Sequence, residues 1–171
     1  MNSSLEFASY IDKLPPACIE AEEGILGGIL LDSNAFIVVD SIIDVEAFYV
    51  NAHQMIYRAF KSLYKEERTI DLITVTDWLK TKGKLLEVGG CNKLANLQDR
   101  VVSTVNIDAL AELVAEKYFR RKLIYLGHEI ANRGADQLIK TNDYFEKAKK
   151  EFETLFDSAI SINGPDKVSC K

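Results

Sequence analysis

Leu14-Pro15-Pro16-Ala17-Cys18-Ile19-Glu20-Ala21-Glu22-Glu23-Gly24-Ile25-Leu26-Gly27-Gly28-Ile29-Leu30-Leu31-Asp32 holds Gly24, Gly27 and Gly28 within two turns of an otherwise apolar helical stretch. Each glycine weakens a helix by about 1 kcal/mol relative to alanine. Keeping three implies an offsetting gain, and another backbone lying close against the glycine edge supplies one. Pro15 and Pro16 mark a sharp start, because a proline in the first turn gives up an N–H that has no partner there. Glu20, Glu22 and Glu23 place negative charge near the positive end of the helix dipole. The segment reads as a buried, closely packed helix from about Ala17 to Leu31 with an acidic first turn.

The flanking sequence continues in helical periods. A second helix is expected over Asn34–Ile43, followed by a connection in which Phe48 and Tyr49 plug the core. Asn51 is placed to cap a helix through Lys65, with Ile56, Phe60, Leu63 and Tyr64 at helical spacing. Asp71 caps the next helix, which Gly83 ends, and a short helix over Asn92–Arg100 follows the Gly89-Gly90 turn. From Asn106 to Arg133 one long helix is expected, spanning about 40 Å. Asp143 and Glu146 resemble a capping box opening another helix, in which Phe145, Ala148, Phe152, Leu155, Phe156 and Ala159 form a single apolar stripe. These two helices make an αα-hairpin that cannot bury all its aromatics internally, so an intermolecular contact is expected. No stretch alternates with period two. The expectation is an all-α fold: a loose arm at 1–13, a helical head at 14–104, a hairpin of the same domain at 105–160, and an unstructured tail at 161–171.

With 171 residues, 47% of them hydrophobic and 27% charged, the chain suits one globular domain with a real core. A formal charge of −5 disfavours non-specific nucleic-acid binding, which normally shows as a basic excess. Cys18, Cys91 and Cys170 are odd in number and widely spaced, which suits a reducing compartment. With no signal-peptide profile and no apolar run of about 20 residues, the expected location is the cytoplasm or a bacterium-like organelle compartment, away from membranes.

Chemistry is sparse. The glycines of the first helix lack the Lys and Ser/Thr of a phosphate-binding loop. His53 and His128 have no second histidine at ligand spacing, so no metal site is read, and no catalytic residue or cofactor-binding residue is assigned. Arg120-Arg121-Lys122 is the one basic cluster. It reads either as a solvated face paired with Glu116 and Glu129, or as a contact for an acidic partner.

Taken in order, Leu14-Pro15-Pro16, Glu20-Ala21-Glu22, Leu26-Gly27-Gly28-Ile29-Leu30-Leu31-Asp32, Phe48-Tyr49, His53, Ile56-Tyr57, Asp71 with Thr74-Val75, Gly89-Gly90, Asn106-Ile107, Val114, Glu116-Lys117 and Arg121-Lys122-Leu123-Ile124 resemble the N-terminal domain of the bacterial replicative DNA helicase, the DnaB family. The likeness covers roughly residues 14–156. It implies a helical head and a hairpin that pairs two subunits, three such dimers forming a collar on a hexameric ring. It implies docking of the C-terminal domain of primase, and contacts with the helicase loader. Primase-coupling positions correspond to Glu20, Ile124 and Ile130, with Arg121 beside them and Lys93 standing where the family usually has an aromatic residue. Val114, Tyr118, Phe145, Phe152, Leu155 and Phe156 fall on the hairpin that would carry oligomerisation. Val102 to Asp108 is similar to the cyanobacterial and plastid branch. The family's ATP- and Mg-dependent motor, with its Walker A loop, is not among these residues, so no catalysis is expected of them. The readings of other classes are a stand-alone DNA-binding or regulatory module using Arg120, Arg121 and Lys122, and a small helical enzyme, for which no convergent polar group is found.

Overall fold

Helix α1 (Ile19–Leu31) is apolar around nearly its whole circumference, and a helix of that kind has to be central. In the computed structural model, which describes residues 15–101, 103–134 and 141–163, it is. The other elements are α2 (Ala35–Asp40), a 3₁₀ turn (Val45–Ala47), α3 (Asn51–Lys65), α4 (Leu72–Thr81), α5 (Gly90–Asp99), α6 (Ile107–Gly134) and α7 (Thr141–Asn163). No strand occurs among the described residues. Helix α1 packs against α2, α3, α5 and α6 at once. Its Ile25, Leu26 and Ile29 meet Phe36, Phe48, Tyr57, Phe60 and Leu97 in one core.

The glycine edge has two kinds of neighbour. A Cβ on Gly27 would come within 2.0 Å of the Leu97 carbonyl oxygen near the end of α5, so backbone meets backbone there as expected. At Gly24 and Gly28 the neighbours are side-chain tips instead: Leu110 Cδ1 at 3.0 Å and Ile107 Cδ1 at 2.8 Å, both from α6.

Several boundaries differ from expectation, each for a local reason. Helix α1 begins at Ile19 with Cys18 as N-cap, so both prolines precede the helix and do not form its first turn. Helix α2 stops at Asp40, three residues short of Ile43. Phe48 is buried, whereas Tyr49 is exposed and does not plug the core. Asp71 does cap α4: its carboxylate accepts from the Ile73 and Thr74 N–H groups while Thr74 Oγ1 accepts from the Asp71 N–H, a complete capping box. Helix α7 starts at Thr141, which puts Asp143 inside its first turn, and continues to Asn163, beyond the expected end at Ile160. The arm at 1–13 and the tail from 164 lie outside the described residues.

Asn51 is not the cap of α3. It is the first helical residue, Val50 is the N-cap, and neither side chain makes a capping bond. The anion at this helix start is Glu22 of α1, only 1% exposed. Its carboxylate accepts from the Tyr49 N–H at 2.6 Å, the Val50 N–H at 3.3 Å and His53 Nδ1 at 2.8 Å. A carboxylate only accepts, so Nδ1 carries the shared proton. Among the described residues Glu22 and His53 are the two buried polar side chains, and they partner each other.

Helix α6 runs about 42 Å and changes character along its length. Ile107, Ala111, Val114 and Ala115 are buried in the core shared with α1. The first turns of α6 are therefore part of the head, past the division expected at residue 105. From Glu116 onward no described side chain of α6 or α7 is buried. The hairpin is held by Arg133, which pairs with Glu129 and, at 2.6 Å, with Glu151, and by the Tyr144 hydroxyl donating to the Ile130 carbonyl.

Two consequences are measurable by urea unfolding. Gly27→Ala should cost about 2 kcal/mol or more, because the added methyl meets a backbone carbonyl, whereas Gly24→Ala should stay within about 1 kcal/mol of the parent. Glu22→Ala should cost about 3 kcal/mol or more, since it leaves two N–H groups and a histidine proton buried without an acceptor. His53→Ala should cost less, because Glu22 keeps both backbone donors. An unaffected Gly27→Ala protein, or a Glu22→Ala protein within about 1 kcal/mol of the parent, would contradict these accounts.

Candidate docking site

The residues singled out for partner contacts are distributed over two places. Arg121 joins the start of α1 to α6. Its Nη1 donates to the Pro16 carbonyl at 2.6 Å and its Nη2 to the Ala47 carbonyl at 2.5 Å. The guanidinium lies over the Tyr49 ring at 5.4 Å and the Tyr118 ring at 5.9 Å. Burial lowers the Arg121 pKa from its ordinary value, and the nearby Glu22 charge opposes that shift. Glu20, four residues after Pro16, and Ile124, three residues after Arg121, are both exposed on the two elements that Arg121 connects. Ile130 lies about 9 Å farther along α6; it is half-buried, and its carbonyl accepts from Tyr144 of α7.

Lys93 belongs to a second cluster. Its Nζ contacts Glu23 Oε1 at 2.5 Å, and Arg100 Nη1 contacts Glu23 Oε2 at 2.6 Å, so one α1 carboxylate pairs with a cation in α5 and with the cation at its C-cap. The Lys93 hydrogen bond, aided by the Lys93 and Arg100 charges, holds the Glu23 carboxyl below its usual range. The acidic first turn of α1 is thus three separate devices: Glu20 in solvent, Glu22 in the core and Glu23 in an ion network. Dipole compensation, the local reading, explains only part of it. Periodicity could not reveal the rest, because the partners lie 27 to 77 residues away.

The basic cluster also separates. Arg120 pairs with Glu116 at 2.8 Å, Lys122 lies over the Tyr118 ring, and Arg121 is committed to two carbonyls. Glu129, expected opposite this cluster, pairs with Arg133 instead. Arg120 and Arg121 are engaged by oxygens of the chain and Lys122 is exposed beside the Tyr118 ring, so the three cations do not form one continuous basic face.

Of the residues expected on the oligomerisation face, Val114 needs correction. It is 2% exposed and packs in the head core, so a partner cannot reach its side chain. Tyr118 is half-buried beside Arg121. Phe145, Phe152 and Phe156 are 63%, 50% and 54% exposed, and the last two stack with centroids 6.4 Å apart. Phe152 and Phe156, with Phe119, Leu123 and Leu155, line a largely apolar cleft of about 280 Å³ along the hairpin, whereas Phe145 lies outside it. A second cleft, of about 420 Å³, separates the hairpin from the head; neither cleft was legible in the sequence. No described helix is long and apolar enough to cross a membrane.

Comparison with known proteins supplies the remaining context. The replicative DNA helicase DnaB of Nostoc sp. is 54% identical over 123 residues, covering 72% of this chain and 14% of that protein. The corresponding helicase of Synechocystis sp. is 44% identical over 146 residues, covering 85% of this chain and 16% of the relative. The chain therefore spans a small fraction of the length of these relatives. The crystal structure of the N-terminal domain of DnaB helicase from Mycobacterium tuberculosis superposes with a TM-score of 0.78 at 30% identity, covering 82% of this chain and 99% of that domain. A DnaB-like replicative helicase, described with its interactions with primase, shares the fold at a TM-score of 0.68 and 21% identity, over 90% of this chain and 33% of that one. The family model for the DnaB-like helicase N-terminal domain matches residues 14–116, and the chain belongs to that family.

Proposed function

We propose that this chain is an assembly and docking domain of a replicative helicase: its hairpin pairs two copies, and the faces around Glu20 and Ile124 receive the C-terminal domain of a primase. The observation that carries the reading is the hairpin without a core of its own. Two helices that keep Phe145, Phe152 and Phe156 half or more exposed, with no buried side chain among the described residues beyond Ala115, need an outside surface to cover them. A second copy supplies a matching apolar face by symmetry. Pairing of this kind is the step from which a trimer-of-dimers collar is built.

The primase assignment rests on resemblance together with position. Glu20 and Ile124 are exposed on the two elements that Arg121 joins. Arg121 is better regarded as the residue that positions this face than as one that touches the partner, since both its terminal nitrogens already donate within the chain. Lys93, held by Glu23, offers a cation where the family usually presents a ring. ATP and Mg chemistry belongs to a motor domain in the longer helicases, and loader contacts belong to the same collar; these 171 residues should turn over no ATP.

Sedimentation should show concentration-dependent dimers, and Phe152→Asp should shift them to monomer with the helical circular-dichroism signal retained. A strict monomer at high concentration, or dimers indifferent to Phe152→Asp, would refute hairpin pairing. In titrations with a primase C-terminal domain, Ile124→Asn should weaken binding by about tenfold, the scale of a single interface anchor. Undiminished binding would remove the primase face from Ile124.

A further inference from the structure

We infer that Ile37, Tyr64, Lys65 and Glu67 form a second face for self-association, on which two copies of the head meet about a two-fold axis with Lys65 of each against Glu67 of the other. These residues line a concavity of about 580 Å³ where α2, the end of α3 and the turn before α4 come together. No residue of α6 or α7 lines it, so it is separate from the hairpin.

The floor of the concavity is apolar and partly uncovered. Ile70 is buried, whereas Ile37 is 55% exposed and Tyr64, which falls by spacing on the apolar side of α3, is 50% exposed. The Phe36 ring, with centroids 4.9 Å apart, holds the Tyr64 ring in place. Little side-chain freedom is therefore lost when a partner covers it. The rim supplies the charge. The side chains of Lys65 and Glu67 have no hydrogen-bond or ion-pair partner among the described residues. Arg68, the third charge of the rim, is already shared by Glu66 at 3.5 Å and Asp77 at 3.8 Å. What remains is one cation and one anion beside an apolar floor. A wholly acidic or wholly basic partner would match one of them and repel the other. A second copy turned about a two-fold axis matches both, since such an interface sets residue i against j and j against i.

The backbone at Glu67 points the same way. With φ at 55° it is the one non-glycine residue of positive φ among the described residues. It closes α3 with its own N–H donating to the Tyr64 carbonyl at 3.0 Å and the Arg68 N–H to the Leu63 carbonyl at 2.9 Å. Helices usually place glycine at this position, where it is unstrained. The chain carries a carboxylate there instead, and that carboxylate has no partner within the chain. A contact of this size is weak by itself, and it strengthens wherever another interface already holds copies together.

Thiol coupling in the full chain tests this. Cys18, Cys91 and Cys170 are changed to Ser, and Phe152→Asp is added so that hairpin pairing does not contribute. Thr69→Cys, on the rim, should then couple between chains through a short bismaleimide at least about tenfold faster than Leu86→Cys, which is more exposed but far from the rim, at about 1 mM protein. Lys65→Glu and Glu67→Lys should each bring the Thr69→Cys rate down to that of the control. Mixing those two variants one to one should restore it, because opposite charges then face each other again across the axis. Glu67→Gly should also lose the coupling, yet unfold at higher urea than the parent. Equal rates at Thr69→Cys and Leu86→Cys would overturn the inference and leave the concavity to a different partner. Indifference to the charge reversals, failure of the mixture to recover, or a lower urea midpoint for Glu67→Gly would overturn it as well. None of these outcomes depends on whether the hairpin pairs or a primase binds.

Discussion

The Glu22 carboxylate is the constraint on which the head depends. An ionised group 1% exposed loses several kcal/mol of hydration, and only good partners offset that. It has three: two N–H groups at the start of α3 and the His53 proton one turn in. Because Tyr49, whose N–H is the shortest of these contacts, also lies under Arg121, the same node fixes the ring against which the α6 cation rests. Helix α1, the start of α3 and the exit of α6 are registered to one another through a single side chain. Buried polar partners of this kind specify one arrangement more sharply than apolar packing, which tolerates many.

The glycine edge complements that node. Glu22 sets the position of α1 relative to α3, while Gly27 lets the end of α5 approach until the Leu97 carbonyl fills the space a methyl would need. Gly24 and Gly28 admit only the movable ends of Leu110 and Ile107. Three residues that look equivalent in the sequence thus carry unequal constraints. The helix propensity forgone at Gly27 is exchanged for contact between backbones, and at the other two for a closer fit of α6.

What could be read from the sequence follows from how far each interaction reaches along the chain. Helical periods and the Asp71 cap act over three or four residues, and they located the described helices and the cap of α4, though the capping box was expected at Asp143 and Glu146 and stands instead at Asp71 and Thr74. Expectation was weakest where a local explanation sufficed but a distant one held. Asn51 is a good cap residue by type, yet the anion at α3 comes from a position 29 residues earlier in the sequence. Arg120, Arg121 and Lys122 form one charged run, yet three different environments divide it. Val114 fits the hairpin stripe by spacing, and nothing in the spacing says that the head occupies that stripe as far as Ala115. The candidate site shows the same limit. Exposed aromatics on α7 were legible as a stripe, whereas the clefts beside them exist only once α6 and α7 are placed against the head.

The division of α6 into a buried and an uncovered part has a mechanical meaning. Up to Ala115 the helix is fixed by a core in which α1 touches four other helices. Beyond it, Tyr118 and Phe119 pack partly against the core, and Arg121 holds the Pro16 and Ala47 carbonyls and lies over the Tyr49 ring. Arg121 remains charged at any physiological pH despite its burial, so the tether is insensitive to proton concentration. It can be released only by moving Pro16 or Ala47. A head with a specified interior can then present a hairpin whose own stability comes from whatever covers it. If the hairpin pairs as proposed, its order and its assembly become a single equilibrium, because the apolar face that is costly to expose in the free chain is the same face that a partner removes from water.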